Sequence, residues 1–274
     1  MIIIVTGSNG MLGSQMVRQL RGCGHKVFGV DLPVCDITDE DSVAGVINSI
    51  GREVDYIINC AAFTDVPGAD IRRSDAYNVN VLGPRVLSKI CLGRGIHLIH
   101  FSTDFVFDGS RSEPYTELDT PNPIQYYGYT KMLGEDEIQC ENTIFRLQWL
   151  FGHGPKTFFS KLKEKSKLIP IIRIVDYEFG SPCSVDFVSQ TVCECLGVSG
   201  LFHLTHNNYC SRFECAKYFL DKIGYKGELR AIPLGAIEDI VPRPEFGVMS
   251  NKKLTDKLGL YLGTWQDDIN AFYA

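Results

Sequence analysis

The sequence reads as an α/β protein built on a doubly wound parallel sheet, with a smaller C-terminal lobe. Three observations carry that reading. Short β-branched apolar runs alternate with segments of helical periodicity through about the first 150 residues. The chain opens on such a run, Ile2–Val5, which leads straight into glycines at 7, 10 and 13. After about residue 150 the alternation loosens, and Pro233 and Pro242-Arg243-Pro244 punctuate loops.

The elements follow in order. Ile2–Val5 is β-branched and buried in type, and Met11–Leu20 places apolar residues at helical spacing. Val27–Val30 reads as a second strand, 39–50 as a helix and Tyr56–Cys60 as a third strand. A long helix is expected over Asp75–Leu92, with Val79, Leu82, Val86, Leu87 and Ile90 on one face and a kink at Gly83-Pro84. Ile96–Phe101 is a fourth strand, Gln125–Ile138 a helix after Pro121 and Pro123, and Thr143–Leu147 a fifth strand. Beyond these, Leu201–Thr205 reads as a strand and Arg212–Ile223 as a helix. The expected division is a Rossmann-like dinucleotide-binding domain over 1–150, then a mainly substrate-binding lobe over 151–274 that is partly interleaved with the sheet.

Composition narrows the function. With 274 residues, 45% of them hydrophobic, the chain can bury a large core. Net charge is −6 and no Lys/Arg run exceeds two, which argues against nucleic acid as a partner. Several of the ten cysteines, such as Cys60, Cys91, Cys193 and Cys195, lie in apolar runs where a thiol acts as a small hydrophobe. Those surroundings, the chain's length and its start on a core strand leave a disulfide scaffold unexpected, and with no CxxC pair and scattered histidines a zinc site is unexpected too. No signal peptide precedes Ile2 and no apolar run approaches membrane-spanning length, so the expected location is the cytoplasm, away from membranes.

Gly7-Ser8-Asn9-Gly10-Met11-Leu12-Gly13 has the spacing of a phosphate-cradling turn. Gly7 permits the sharp exit from the strand, Gly10 lets backbone approach a pyrophosphate, and Gly13 lets the helix pack closely on the sheet. The N–H groups of Asn9, Met11 and Leu12 then face the phosphates at a helix N-terminus. Asp31 ends the second strand, where a carboxylate can accept both adenosine-ribose hydroxyls and repel a 2′-phosphate. NADH or NADPH is therefore the expected cofactor, with a mild preference for NADH. Asp36 and Ile37 are placed near the adenine, Ala61 and Ala62 beneath the cofactor, and Thr64 as an added polar contact.

Tyr127 and Lys131 are i and i+4 on one helix and so share a face. An ammonium beside the phenol would favour phenolate, lowering the tyrosine's proton affinity toward a useful range, and can also reach the nicotinamide ribose. Ser102-Thr103-Asp104 follows the fourth strand, whose C-terminal end opens into the ligand crevice. A hydroxyl there can orient a carbonyl toward Tyr127. The bland readings are a packed tyrosine beside a solvated lysine, and a serine/threonine turn that caps the strand.

These residues resemble an extended short-chain dehydrogenase/reductase and, more narrowly, the dTDP-4-dehydrorhamnose reductase family. The likeness is carried by Ser102-Thr103-Asp104-Phe105-Val106-Phe107-Asp108-Gly109 and by Tyr127-Gly128-Tyr129-Thr130-Lys131 with Gly134-Glu135. Asn59 to Thr64, Arg146 to Gly152, Gly180-Ser181-Pro182, Phe202-His203-Leu204, Arg243-Pro244 and Trp265-Gln266 support it in the expected order. The resemblance implies NAD(P)H-dependent reduction of the 4-keto group of a nucleotide-linked 6-deoxy sugar, in dTDP-L-rhamnose biosynthesis. It implies catalytic roles for Thr103, Tyr127 and Lys131, cofactor contacts at Ser102, Tyr127 and Lys131, and a sugar pocket of Thr103, Asp104, Phe105, Tyr127 and Trp149.

The departures are specific. Pro67-Gly68-Ala69-Asp70 replaces the family's usual loop after Val66, and Cys183 stands where threonine usually follows Gly-Ser-Pro. Gln15 stands where some relatives carry a carboxylate linked to a metal-bridged dimer, so no metal is expected, while a homodimer stays open. Rival readings are a nucleotide-sugar epimerase and a non-catalytic nucleotide-binding regulatory subunit. Dehydration is disfavoured, because Phe105 stands where dehydratases carry an acid and cannot move a proton.

Overall fold

The computed structural model describes residues 1–154, 157–236 and 241–274. Its strands are β1 (Ile2–Thr6), β2 (Lys26–Val30), β3 (Tyr56–Asn59), β4 (His97–Thr103), β5 (Thr143–Leu147), β6 (Leu150–Phe151), β7 (Ile171–Val175), β8 (Phe179–Gly180), β9 (Cys183–Ser184), β10 (Gly200–His203), β11 (Cys210–Ser211) and β12 (Glu228–Ile232). Its α-helices are α1 (Met11–Gly22), α2 (Glu40–Ile50), α3 (Val66–Ile71), α4 (Arg73–Tyr77), α5 (Gly83–Arg94), α6 (Tyr126–Asp136), α7 (Phe158–Leu168), α8 (Val185–Glu194), α9 (Arg212–Lys222), α10 (Lys252–Leu258) and α11 (Trp265–Phe272).

Six strands form one parallel sheet in the order β10-β5-β4-β3-β1-β2. Alternation along each strand explains why both faces are covered. Ile3 and Val5 of β1, Ile58 of β3 and Ile99 of β4 point into a core shared with α1 and α8, built on Leu12, Met16, Val188 and Val192. Their neighbours Ile4, Ile57 and Leu98 point the other way, onto Val43 and Ile47 of α2 and Leu87 and Ile90 of α5. The direction of progression along the sheet reverses between β1 and β3, and the C-terminal ends of β1, β3, β4 and β5 open at one edge.

A third core lies outside this sheet. Phe151, Phe159, Leu162, Ile172, Phe219, Trp265 and Ile269 pack together beneath α7, α9 and α11, and β7 pairs with β12 in parallel. The second half also returns to the main sheet: β10 pairs with β5, and α8 packs on α1.

The long helix expected over Asp75–Leu92 is instead α4, a π-helical turn at Asn78–Leu82, and α5. The cause is Pro84, which has no N–H to return to the Asn80 carbonyl. Bonding widens, so that Gly83 N–H reaches Asn78 O. The carbonyl left over faces α6, where a Cβ on Gly134 would lie 2.1 Å from Asn80 O. The Asn80 side chain grips Phe63 through both backbone groups and donates to Thr130 Oγ1, tying this turn to α6.

Candidate active site

The first wall of the site is the glycine turn. Gly7 has φ +62°, and a Cβ there would lie 2.6 Å from Ala61 N, so the turn and the β3 exit touch backbone to backbone. A Cβ on Gly13 would meet Gly7 O at 2.1 Å, which leaves no other residue at that approach. Gly10 caps α1 without a side chain, so the first helical N–H groups have no capping acceptor. The Asp31 carboxylate accepts from Asn9 N (3.0 Å) and Leu32 N (2.9 Å), pinning the turn to the end of β2. Asp36 accepts from the Thr38 amide (2.9 Å) and hydroxyl (2.7 Å), and Ile37 is buried against Gly83.

The second wall is the β4 exit and α6. Gln125 caps α6 by accepting from Gly128 N (2.6 Å), and Gly128 lets the helix close on Phe105 O, 2.0 Å from where a Cβ would stand. Tyr127 is thereby buried beside Thr103, with the Phe105 ring edge-on at 5.8 Å. Thr103 Oγ1 donates to Asp104 Oδ1 (2.9 Å) and accepts from Phe105 N (3.2 Å). Asp104 Oδ2 accepts from Gln148 Nε2 (2.9 Å). Burial raises the Asp104 carboxyl from 3.8 to about 6, against the bonds from Gln148 and Thr103 and the charge of Arg212. Ser102 Oγ is buried with no hydrogen-bond partner among the described residues.

The expectation that Lys131 draws down the Tyr127 phenol is not met. Lys131 Nζ donates to Phe101 O (2.7 Å) and lies 3.3 Å from His100 Nε2. The phenol is instead pushed well above its ordinary value, first by burial and then by Asp104, with a Thr103 hydrogen bond opposing. The physical reason is that Phe101 O offers the amine a direct acceptor, while the hydrogen bond from Thr103 falls short of offsetting the phenol's desolvation. Burial also lowers Lys131 to about 8, with Glu135 opposing.

The third wall comes from the second half. Trp149 has φ +43°, the one positive φ outside glycine among the described residues. The Arg212 guanidinium lies 3.5 Å from the Trp149 ring centroid and 5.0 Å from that of Phe158, and pairs with Glu178 at 3.3 Å. Gln148 donates to Gly247 O (2.6 Å) as well as to Asp104, and accepts from Ser181 N (2.8 Å).

The three walls enclose a cleft of about 620 Å³. Among the expected residues it brings together Gly10, Met11, Leu12, Ala62, Thr64, Ser102, Thr103, Asp104, Phe105, Tyr127, Lys131 and Trp149. Gly7, Asn9, Asp31, Asp36, Ile37 and Ala61 do not line it; they shape the turn and the β2 end beside it. Gln148, Phe158, Arg212 and Arg243 line it without having been assigned a role from sequence. Gln148 lies inside the Arg146–Gly152 stretch, which was the available signal, whereas Arg212 merely opens a helix within a Ser211/Glu214 capping box. Among the described residues no cluster of metal-ligating side chains occurs, and no helix is long and apolar enough to cross a membrane.

The side-chain-free cradle at Gly7 and Gly13, the uncapped N-terminus of α1 and the orphan hydroxyl of Ser102 suit a dinucleotide. Comparison with known proteins agrees. The chain is 35% identical to a dTDP-4-keto-6-deoxy-D-glucose reductase of Streptomyces niveus, over 90% of this chain and 88% of that protein. Its fold superposes on a crystal structure of dTDP-4-dehydrorhamnose reductase from Bacillus anthracis in complex with NADP, with TM-score 0.94 and 28% identity over 99% of this chain and 98% of that one. A UDP-glucose 4-epimerase from Thermus thermophilus, solved with NAD, shares the fold at TM-score 0.79 and 19% identity, covering 100% of this chain and 99% of that one. The family model described as RmlD substrate binding domain matches residues 1–274, and the chain belongs to that family.

Proposed function

We propose that this chain is an NAD(P)H-dependent oxidoreductase that reduces the 4-keto group of a nucleotide-linked 6-deoxy sugar, as a dTDP-4-dehydrorhamnose reductase in dTDP-L-rhamnose biosynthesis. The observation that carries the reading is the meeting of Thr103, Tyr127 and Lys131 in one cleft with the glycine turn. Residues 1–150 hold the dinucleotide and 151–274 supply most of the sugar side, in this reading. The N–H groups of Met11 and Leu12 hold the pyrophosphate, while the Asn9 N–H, expected there too, is taken by Asp31 Oδ2; Asp36 and Ile37 lie by the adenine, and Ala61, Ala62, Thr64 and Ser102 flank the rest. A bound reduced nicotinamide supplies the hydride.

Tyr127 Oη gives its proton to the sugar oxygen as the carbonyl is reduced. Its raised proton affinity keeps the phenol protonated and ready to donate. Thr103 Oγ1 turns from Asp104 to orient the carbonyl, and Lys131 holds the nicotinamide ribose. Asp104, Phe105 and Trp149 line the sugar pocket, and Arg212 and Arg243 bring positive charge toward the diphosphate. Asp31 supports NADH over NADPH, because a carboxylate at the end of β2 repels a 2′-phosphate.

The test mixes the protein with a dTDP-4-keto-6-deoxy sugar and follows the near-ultraviolet absorbance of NADH and of NADPH in parallel. Consumption of either supports the reductase, and a lower KM for NADH supports the role of Asp31. Consumption of neither, with the sugar still bound, would turn the reading toward a regulatory subunit. Tyr127→Phe should lower turnover by about a hundredfold or more while the cofactor still binds; unchanged turnover would remove Tyr127 as the donor.

A further inference from the structure

Behind Lys131 runs a buried polar chain that the proposed reduction does not use. Asn59 Oδ1 accepts from Ala61 N (3.2 Å) and from Thr6 Oγ1 (2.7 Å). A backbone N–H only donates, so the Asn59 amide is fixed with its oxygen toward Ala61 and its nitrogen toward His100. Asn59 Nδ2 lies 3.1 Å from His100 Nδ1, and an amide NH₂ can only donate. Nδ1 must therefore accept and carry no proton. The proton of the neutral ring sits on Nε2, which faces Lys131 Nζ at 3.3 Å. An amine can accept that N–H through its lone pair and keep an N–H for Phe101 O. An ammonium cannot: two N–H groups then face each other in a buried site, since His100 is 1% and Lys131 2% exposed.

We propose that His100 is a positioning residue: locked by Asn59 as an Nε2–H donor, it opposes the ammonium form of Lys131 and keeps that side chain poised to exchange a proton. This rests on the reading of Lys131 as part of the reductase site. The chain ends inward at Thr6, itself buried, so it sets a protonation state and does not conduct protons to water. His100 stays neutral, because burial and Lys131 hold it well below its ordinary value. Burial acts on Lys131 in the same direction as the proposed bond.

The other ionisable groups around Lys131 do not replace this contact. Glu135, on the same helix, raises its proton affinity but is itself tied to Arg146 of β5. Tyr127 shares the helix, and Asp104 acts on Tyr127 from the turn after β4. Arg73 of α4 stacks on Tyr126, and Arg85 of α5 pairs with Glu137.

The first experiment reads the unaltered full chain by ¹⁵N NMR of its imidazoles, with the His100 signals among the six histidines identified by their loss in His100→Gln. Expected are a protonated Nε2 and an unprotonated Nδ1 across neutral pH. A proton on Nδ1 would overturn the proposal, whatever the substrate proves to be. The second compares pH profiles of kcat/KM for His100→Phe and His100→Gln. The Phe variant removes the donor, so the limb assigned to Lys131 should rise by about one pH unit, the equivalent of one buried hydrogen bond. The Gln variant can still donate to Lys131 and accept from Asn59, and should stay near the parent. An unmoved limb in His100→Phe, or an equal shift in both variants, would overturn the proposal. Failure of every nucleotide sugar to react would instead strike the proposed function and leave the NMR result to stand.

Discussion

Replacing Glu135 with Gln tests how α6 is held in place. Glu135 takes two bonds from Arg146, at 2.9 and 2.6 Å, and both side chains are almost wholly buried. Among the described residues the guanidinium also meets the Phe107 ring at 5.0 Å and His203 Nε2 at 3.3 Å, neither of them anionic. Removing one partner of such a pair leaves an uncompensated buried charge, at a cost of about 3–5 kcal/mol. The glutamine carbonyl still takes one N–H, so the low end, about 3 kcal/mol, is expected. Unfolding entropy of about 2.1 cal/mol/K per residue over 274 residues gives about 0.6 kcal/mol/K, and so a melting temperature lower by about 5 °C. Scanning calorimetry at pH 7 measures it. Adding Arg146→Met to Glu135→Gln should recover much of the loss, because the stranded charge is then gone. A single variant melting within about 1 °C of the parent would refute the reasoning.

Further outcomes follow from other contacts. The raised Asp104 carboxyl stabilises the fold fully below pH 3.8, and that stability is lost as pH rises through about 6. Asp104→Asn should therefore melt higher than the parent at pH 8, by the equivalent of about 3 kcal/mol, and converge with it near pH 4; paired melting curves decide. Gly128→Ala drives a Cβ into Phe105 O and should cost about 1–3 kcal/mol while lowering turnover, seen by urea unfolding and the absorbance assay. Arg212→Met removes the stack on Trp149 and the charge facing the cleft. Its KM for the nucleotide sugar should rise about tenfold or more with little change in that for the cofactor.

The sheet was legible because its strands are apolar on both faces and short. β5 begins and ends at the expected residues, and β1 to β4 differ from expectation by a residue or two at their ends. The glycine turn and the Tyr127/Lys131 pair were legible because local chain chemistry demands those residue types at that spacing. The π-helical turn was hidden, since one widened turn hardly disturbs a helical apolar pattern and only Pro84 hinted at it. The two-residue strands β6, β8, β9 and β11 exist through distant pairing, with no propensity signal of their own. Arg212 and Gln148 could not be placed by local reasoning, because their partners lie tens of residues away. The failure of Lys131 to draw down the Tyr127 phenol was hidden for the same reason: the acceptor at Phe101 O lies on β4, across from the helix and not along it.

Gln148 joins three stretches of chain through one side-chain amide: Asp104 at the β4 exit, Ser181 before β9 and Gly247 near the C-terminal helices. The floor beneath Thr103 and the far side of the pocket are thus mechanically welded. Shape changes that would admit a different sugar must arise around this weld, at Trp149, Phe158 or Arg243, where side chains can be exchanged without loosening the reacting end. Diversification of ligand and preservation of chemistry are in that way assigned to separate parts of a single hollow.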